Sequence, residues 1–281
     1  MKAKGKLDRE TVEAYSLRVV ARDRGVPSLQ SSVIVRVTVT DLNDNRPMFE
    51  KASYAVSVYE NTNPKTKILT VRATDADAAD NGKVGYRIKS GDTQVFSIDP
   101  TAGDIKTVKN LDRETTASYK LVVEAFDHGK NQLTATVDVS VTILDVNDNQ
   151  PIIAPLNLKN VNESAAAGFS LGKISASDKD IGKNQELEYS LIEERGHDFF
   201  QIDAQSGEVT LKKRVDREAK DKHNLRFVVK DKGLPVLSAA ADHVIQILDE
   251  NDNAPKFGKA SYSGKENCFC LLYTSPSPRD S

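Results

Sequence analysis

Asp145-Val146-Asn147-Asp148-Asn149-Gln150-Pro151 closes an alternating run, Leu133 to Ile143, and the two together decide how the chain folds. The run carries an apolar residue at nearly every second position, which predicts one long β-strand. Val137, Val139, Val141 and Ile143 would share its inward face. The strand then meets Asp145, Asn147, Asp148 and Asn149, and Pro151 bars further ladder pairing. In extended backbone alternate side chains point to opposite sides. Asp145, Asn147 and Asn149 are therefore expected on one side and Asp148 on the other. Oxygen donors around a short connector suit a hard cation that takes roughly six to eight oxygens, as Ca²⁺ does. Asp and Asn are also ordinary turn formers, so one heptad alone leaves both readings open.

The heptad does not stand alone. It recurs as Asp41-Leu42-Asn43-Asp44-Asn45-Arg46-Pro47 and as Asp249-Glu250-Asn251-Asp252-Asn253-Ala254-Pro255, so the starts at 41, 145 and 249 are 104 residues apart. A period near 100 residues is too long for a solenoid unit and matches one compact domain per repeat. Other signals keep the register. Leu7-Asp8-Arg9-Glu10 recurs at Leu111-Asp112-Arg113-Glu114 and at Val215-Asp216-Arg217-Glu218. Asp23, Asp127 and Asp231 each precede a glycine two residues on, and Asp75-Ala76-Asp77 returns as Asp178-Lys179-Asp180.

On these residues the chain resembles the cadherin repeat family. That family's calcium motifs are a lone Glu near the domain start, a D-x-D pair, an L-D-R-E, an A-x-D-x-G and a D-x-N-D-N-x-P, and all occur here in the family's order. The resemblance covers roughly residues 1–267, and the pattern is similar to the long Fat-like, dachsous-like and protocadherin members. It implies an all-β fold of tandem Ig-like Greek-key β-sandwiches with calcium-binding connectors, in the extracellular part of a plasma-membrane-anchored protein.

The repeats divide the chain. Residues 1–47 read as the second half of a repeat, with strands at Ala14–Ala21 and Val33–Val39 around the Asp23–Pro27 turn. Residues 48–151 read as a whole repeat of seven short strands: Tyr54–Val58, Ile68–Ala73, Val84–Ile88, Phe96–Ile98, Ile105–Val108, Tyr119–Ala125 and the long last one. Seven alternating strands separated by turn residues suggest a β-sandwich. Around Val122 both faces of the strand are expected to be partly covered. Residues 152–255 repeat the plan, with Glu163 in the place of Glu60. Residues 256–267 open another repeat, Ala260-Ser261-Tyr262-Ser263 echoing Ala52-Ser53-Tyr54-Ala55. Residues 268–281 leave the pattern and have the composition of a disordered, vector-derived or mistranslated tail.

Composition narrows the function. The net charge of −2 and scattered Lys and Arg give no sign of a nucleic-acid partner. No run of 18 apolar residues exists to span a membrane, and Met1 to Lys6 lacks the apolar core of a signal peptide. Because the resemblance implies a membrane-anchored protein, the chain is expected to be an internal fragment of one. Cys268 and Cys270 are the only cysteines, so the repeats are expected to fold without disulfides.

At the middle junction Glu60, Asp112, Glu114, Asp145, Asp148, Asp178, Asp180 and Asp231 would converge. Unaided this is untenable: each pair about 5 Å apart costs about 3 kcal/mol at an effective dielectric near 20. The resemblance implies three Ca²⁺ per complete junction, whose charge nearly balances the set. Carried over by position, Glu60, Asp112, Glu114 and Asp148 would hold the outermost ion. Glu60, Glu114, Asp145, Asp148 and Asp180 would hold the middle one. Asn147, the Asn149 carbonyl, Asp178, Asp180, the Asn184 carbonyl and Asp231 would hold the third. The first connector offers Asp8, Glu10, Asp41, Asn43, Asp44, Asn45, Asp75, Asp77, Asn81 and Asp127, and the last offers Glu163, Asp216, Glu218, Asp249, Asn251, Asp252 and Asn253. The loop Asp75 to Asn81 has Ala79 where the family's loop, and this chain's Gly182, has glycine. If the loop needs positive φ there, Ala79 strains it and weakens ordering without losing the site.

Rival chemistries are thin. Paired carboxylates could serve a hydrolase such as a glycosidase, but that needs one raised pKa in a cleft, whereas these pairs recur at every boundary. His128, His197, His223 and His243 share no metal-ligand spacing and read as solvated surface. No phosphate loop or nucleophile elbow is present, so neither an enzyme nor a small-molecule substrate is expected. Asn162-Glu163-Ser164 matches a glycosylation acceptor beside a calcium ligand. The resemblance implies calcium-dependent cell–cell adhesion, homophilic or heterophilic, through another cadherin in trans or in cis. The alternative is a mechanical spacer that touches nothing. The chain has no Trp and no His-Ala-Val, so strand exchange through a Trp anchor cannot occur in this segment, which favours the spacer or an overlapping mode of contact.

Overall fold

Alternation along the last strand of each repeat sets the architecture. The computed structural model describes residues 5–193, 198–256 and 261. Over residues 48–151 the strands are β1 (Met48–Phe49), β2 (Ser53–Tyr59), β3 (Lys67–Thr70), β4 (Ala73–Thr74), β5 (Gly85–Ser90), β6 (Phe96–Ile98), β7 (Asp104–Thr107), β8 (Ser118–Phe126) and β9 (Thr134–Leu144). One sheet runs β2-β9-β8-β5, a second runs β3-β7-β6, and β1 pairs with β4. The early strand β2 lies parallel to the late strand β9, the crossover of a Greek key. Val137, Val139, Val141 and Ile143 are buried, as the alternation requires. They pack with Val71, Phe96, Ile105, Leu111, Leu121 and Val123 in one core. Each such side chain contributes about 1.5–3 kcal/mol on leaving water.

The next segment repeats the order with β10 (Ile152–Ile153), β11 (Val161–Asn162), β12 (Ser170–Lys173), β13 (Ala176–Ser177), β14 (Leu187–Glu193), β15 (Phe200–Ile202), β16 (Glu208–Leu211), β17 (Lys222–Asp231) and β18 (Ser238–Leu248). Its sheets are β11-β18-β17-β14, β12-β16-β15 and β10-β13. A second core gathers Leu171, Ile174, Phe200, Leu211, Phe227 and Ile245. Before both, Ala14–Arg22 and Gln30–Thr38 form a lone antiparallel hairpin. Its Leu17, Val20, Val33 and Ile34 are exposed. The repeat expected to open at residues 256–267, and the tail from 268, lie almost wholly outside the described residues.

Three expectations need correction. Ile68–Ala73 is not one strand: the chain changes sheets at Val71 and Arg72, and with this split and the additional short strand Met48–Phe49 the segment carries nine short strands rather than seven. The main-chain donors freed by the crossing are taken up locally. Val71 N–H bonds to the Gly103 carbonyl, and the Tyr54 and Tyr86 hydroxyls accept from Arg72 and Ala73 at 3.2 and 2.8 Å. His223 is buried rather than solvated, its ring meeting Phe199 and Phe200 edge-on at centroid distances of 5.3 Å. His128 is exposed, and His197 lies outside the described residues. Around Val122 both faces are covered as expected. On the outer side Glu124 is buried between Lys89 and Arg87 (2.7 and 2.6 Å), which hold its carboxyl below the usual range.

Ala79 adopts φ 51°, beside φ 61° at Gly182. A β-carbon is disfavoured there by about 1 kcal/mol or more. Ala79→Gly is therefore expected to stabilise its sandwich by about 1 kcal/mol, raising its thermal midpoint by about 4–8 °C. Differential scanning calorimetry checks this, and an unchanged or lower midpoint contradicts it.

Candidate metal centres

The parallel register of β2 and β9 places Tyr59 opposite Leu144, so Glu60 emerges beside Asp145 at the same end of the sheet. Glu60 is buried and doubly fixed: Oε1 accepts Val146 N–H and Oε2 accepts Arg113 N–H, each at 2.8 Å. Glu163 repeats this with Glu250 and Arg217 at 2.7 and 2.9 Å. Leu111, in the core, anchors the turn that carries Asp112 and Glu114. Asp112 caps that turn through Thr115 N–H and hydroxyl, both at 2.9 Å, and the Thr115 N–H holds its carboxyl below the usual range.

Carboxylates converge at the ends of the sandwiches. Glu60, Glu114 and Asp148 offer oxygens within 4.8 Å of one another, and so do Glu114, Asp145 and Asp180. Glu10, Asp41 and Asp77, the counterparts of Glu114, Asp145 and Asp180, form the matching group one junction earlier, and Glu163, Glu218 and Asp249 form a differently composed group one junction later. Burial, with like charge from Glu60, pushes the Glu114 carboxyl up. Burial, with Asp178 and Asp145, does the same to Asp180. Burial likewise raises Asp75, beside Asp77 and Asp127. The raised groups thus recur at successive junctions.

The connector faces two ways. Asp145 Oδ2 accepts Ile181 N–H at 3.2 Å and the Asn184 amide at 2.8 Å, and Asp180 accepts the Asn149 amide at 2.8 Å. Asn147 Nδ2 donates to the Pro235 carbonyl. Asp148 turns to the first sandwich, accepting from Asn61 Nδ2. Asp231 is buried at the head of the second sandwich, with Gly233 and Leu237 N–H groups on its two oxygens at 2.9 and 3.0 Å. Asp127 is held in the same way by Gly129 and Leu133. In two of the D-x-G stretches a β-carbon would collide with the connector's asparagine: on Gly233 it would lie 2.3 Å from Asn147 Cγ, and on Gly129 2.5 Å from Asn43 Nδ2.

Four buried side-chain oxygens among the described residues have no hydrogen-bond partner: Asn43 Oδ1, Asp75 Oδ2, Asn147 Oδ1 and Asp178 Oδ2. They form two equivalent pairs, one per junction, and all four are expected ligands of the third ion. A buried oxygen without a donor costs about 1–3 kcal/mol. An all-oxygen set with ionised carboxylates is the donor chemistry of a hard divalent cation, so the residues present fit calcium.

Other expected ligands are less gathered. Asp8 and Asp216 bond within their own turns. Asp44 accepts from Asn45, and Asp252 from Asn253. Asn251, Asp252 and Asn253 are exposed. One residue in the midst of the carboxylates was not anticipated. Arg113 lies between Asp145 and Glu114 and also meets the Lys179 carbonyl at 2.9 Å. Arg9 does the same with Asp41, Glu10 and the Ala76 carbonyl.

Comparison with known proteins bears on this geometry. A cadherin domain model matches residues 54–144 and 159–248. Protocadherin Fat 4 of Homo sapiens is 40% identical over 261 residues, 92% of this chain and 5% of that protein. The solved protocadherin GammaB4 extracellular domain superposes with a TM-score of 0.83 at 35% identity, covering 92% of this chain and 40% of that one. A structure titled as the cis-dimer of protocadherin gammaB7 EC3-6 gives a TM-score of 0.77 at 31% identity, covering 86% and 60%. The chain spans 5–11% of the length of the first curated relatives it matches.

Proposed function

This chain belongs to the cadherin family, and on that premise we propose that it serves calcium-dependent cell–cell adhesion as part of an extracellular rod. A role in adhesion follows from the family, whose matched members are cadherins and adhesion receptors rather than enzymes. No helix among the described residues is long and apolar enough to cross a membrane. The observation that carries the calcium reading is the pair of buried, partnerless oxygens at each of two junctions, on Asn43 with Asp75 and on Asn147 with Asp178.

In this reading residues 48–151 and 152–255 are complete repeats, and residues 1–47 contribute the end of another. Glu60, Asp112, Glu114, Asp145 and Asp148 would hold calcium from one side of the middle junction. Asn147, Asn149, Asp178, Asp180, Asn184 and Asp231 would hold it from the other, three ions in all. Bound calcium supplies positive charge that the crowded carboxylates lack. The chain supplies the orientation. Glu60 and Asp231 are locked by backbone donors, and Asn147 is seated against Gly233. Ligands from both sandwiches and from the connector would then share one cluster, which restrains the angle between repeats.

The partner in this reading is another cadherin. It is supported by the likeness to a protein solved as a cis-dimer. The spacer reading keeps its support from the absence of Trp. Sedimentation of the chain separates them. Reversible self-association in calcium that is lost in chelator supports adhesion by this segment. A monomer in both solutions supports the spacer.

A further inference from the structure

At both junctions whose two sides are described, the arginine of the L-D-R-E stretch reaches past its own repeat. Arg113 donates from Nε to Asp145 and from Nη2 to Glu114, and Nη2 also meets the main-chain carbonyl of Lys179 at 2.9 Å. Arg9 repeats the pattern, with Nε on Asp41 and Nη2 on Glu10 and on the Ala76 carbonyl, the last two at 2.6 Å. Ala76 and Lys179 are the middle residues of the D-x-D pairs, so each arginine grips the next repeat at the same point. The Arg113 and Arg9 side chains are 9% and 16% exposed. Arg217, followed by a segment outside the described residues, bonds to Asp249 at 3.0 Å with a side chain 32% exposed.

The physics of this contact is independent of any ion. A guanidinium is charged at every accessible pH and presents five donors in a rigid fork, so one side chain can hold a carboxylate from each of two segments and a carbonyl from a third. Its charge-assisted bonds are about twice as strong as neutral ones. A lysine at the same place would keep the charge but not the fork.

We infer that Arg113, and Arg9 in the same manner, is a positioning residue that latches adjacent repeats by protein bonds alone, making the connector a restrained joint when calcium is low. The inference rests on reading the connector as the joint between repeats, and not on the number of ions held there.

The test uses the full chain with Cys268→Ser and Cys270→Ser, spin-labelled at Ser140→Cys and Gln246→Cys, both exposed and on opposite sides of the junction. Electron-electron distance distributions are compared for this parent and for Arg113→Ala, Arg113→Lys and Lys179→Ala, in excess chelator and in saturating calcium. In chelator the distribution is expected to be about twice as wide for Arg113→Ala as for the parent, with Arg113→Lys between them. Lys179→Ala should match the parent, because the contact is to its main chain. In calcium all four should be equally narrow. Equal widths for parent and Arg113→Ala in chelator overturn the latch. Broadening of Arg113→Ala in both solutions keeps the latch and counts against calcium as the stiffener. A parent that is equally narrow in both solutions likewise counts against calcium alone.

Discussion

Replacing Asp148 with alanine is expected to weaken calcium binding at the middle junction by about ten- to a hundredfold, roughly 1.4–2.8 kcal/mol. Asp148 is the connector carboxylate that shares a 4.8 Å group with Glu60 and Glu114 at the end of the first sandwich. Its two oxygens are held in place by Asn61 and Asn149. Ligand charge and site rigidity set calcium affinity, and the substitution removes both at once. The sandwich cores do not include Asp148, so folding should be unaffected. Lys130→Ala, at an exposed position in the same chain, is the control and should leave binding unchanged. Calorimetric calcium titrations of the three proteins decide the matter. Coincident isotherms for the unaltered chain and Asp148→Ala would remove Asp148 from the site.

Much of this was legible in the sequence because it depends on local periodicity. Val137, Val139, Val141 and Ile143 alternate, and they are buried. The 104-residue spacing placed equivalent motifs at equivalent ends of two like sandwiches. The positive φ at Ala79 also followed from a neighbouring sequence, since Gly182 holds the same place in the next repeat. What escaped notice depends on contacts between segments far apart in the chain. Arg113 reads as an ordinary surface charge until Asp145 and the Lys179 carbonyl are seen around it. The available signal was its recurrence at 9, 113 and 217. His223 lies on the same face as Leu225, Phe227 and Val229, so the strand's alternation already pointed inward. The break at Val71 and Arg72 had no local marker, because the Tyr54 and Tyr86 hydroxyls that make it tolerable come from other strands.

The three junctions of this chain should fill unequally. Residues 1–7 supply no Glu to stand where Glu60 and Glu163 stand, although Asn43, Asn45, Asp75, Asp77, Asn81 and Asp127 offer a complete third site. The last connector has the opposite defect. Glu163, Asp216, Glu218, Asp249 and Asp252 are present, but residues 256–281 contain no D-x-D pair. Glu218 and Asp249 are exposed, whereas their counterparts Glu114 and Asp145 are partly buried. A site missing ligands loses affinity. The middle junction is therefore expected to take up three ions first, at about 10⁻⁴ to 10⁻³ M, the range of extracellular modules. Native mass spectrometry across a calcium series should show three early ions followed by weaker, scattered binding. The outermost and middle of the early three should be lost with Asp148→Ala, and all three should survive Asp252→Ala. A single bound ion, or loss of the early three on changing Asp252, would contradict the assignment.

On the proposed reading calcium acts on the joints and not on the sandwiches. The buried cores contain no metal ligands, and the partnerless oxygens sit at the junctions. Small-angle scattering of the chain in calcium and in excess chelator, read beside far-ultraviolet circular dichroism, tests this most directly. A narrow, extended distribution of dimensions is expected in calcium and a broader, more compact one in chelator, with the β-sheet signal largely kept in both. Loss of the sheet signal in chelator, or identical scattering in the two solutions, would contradict it.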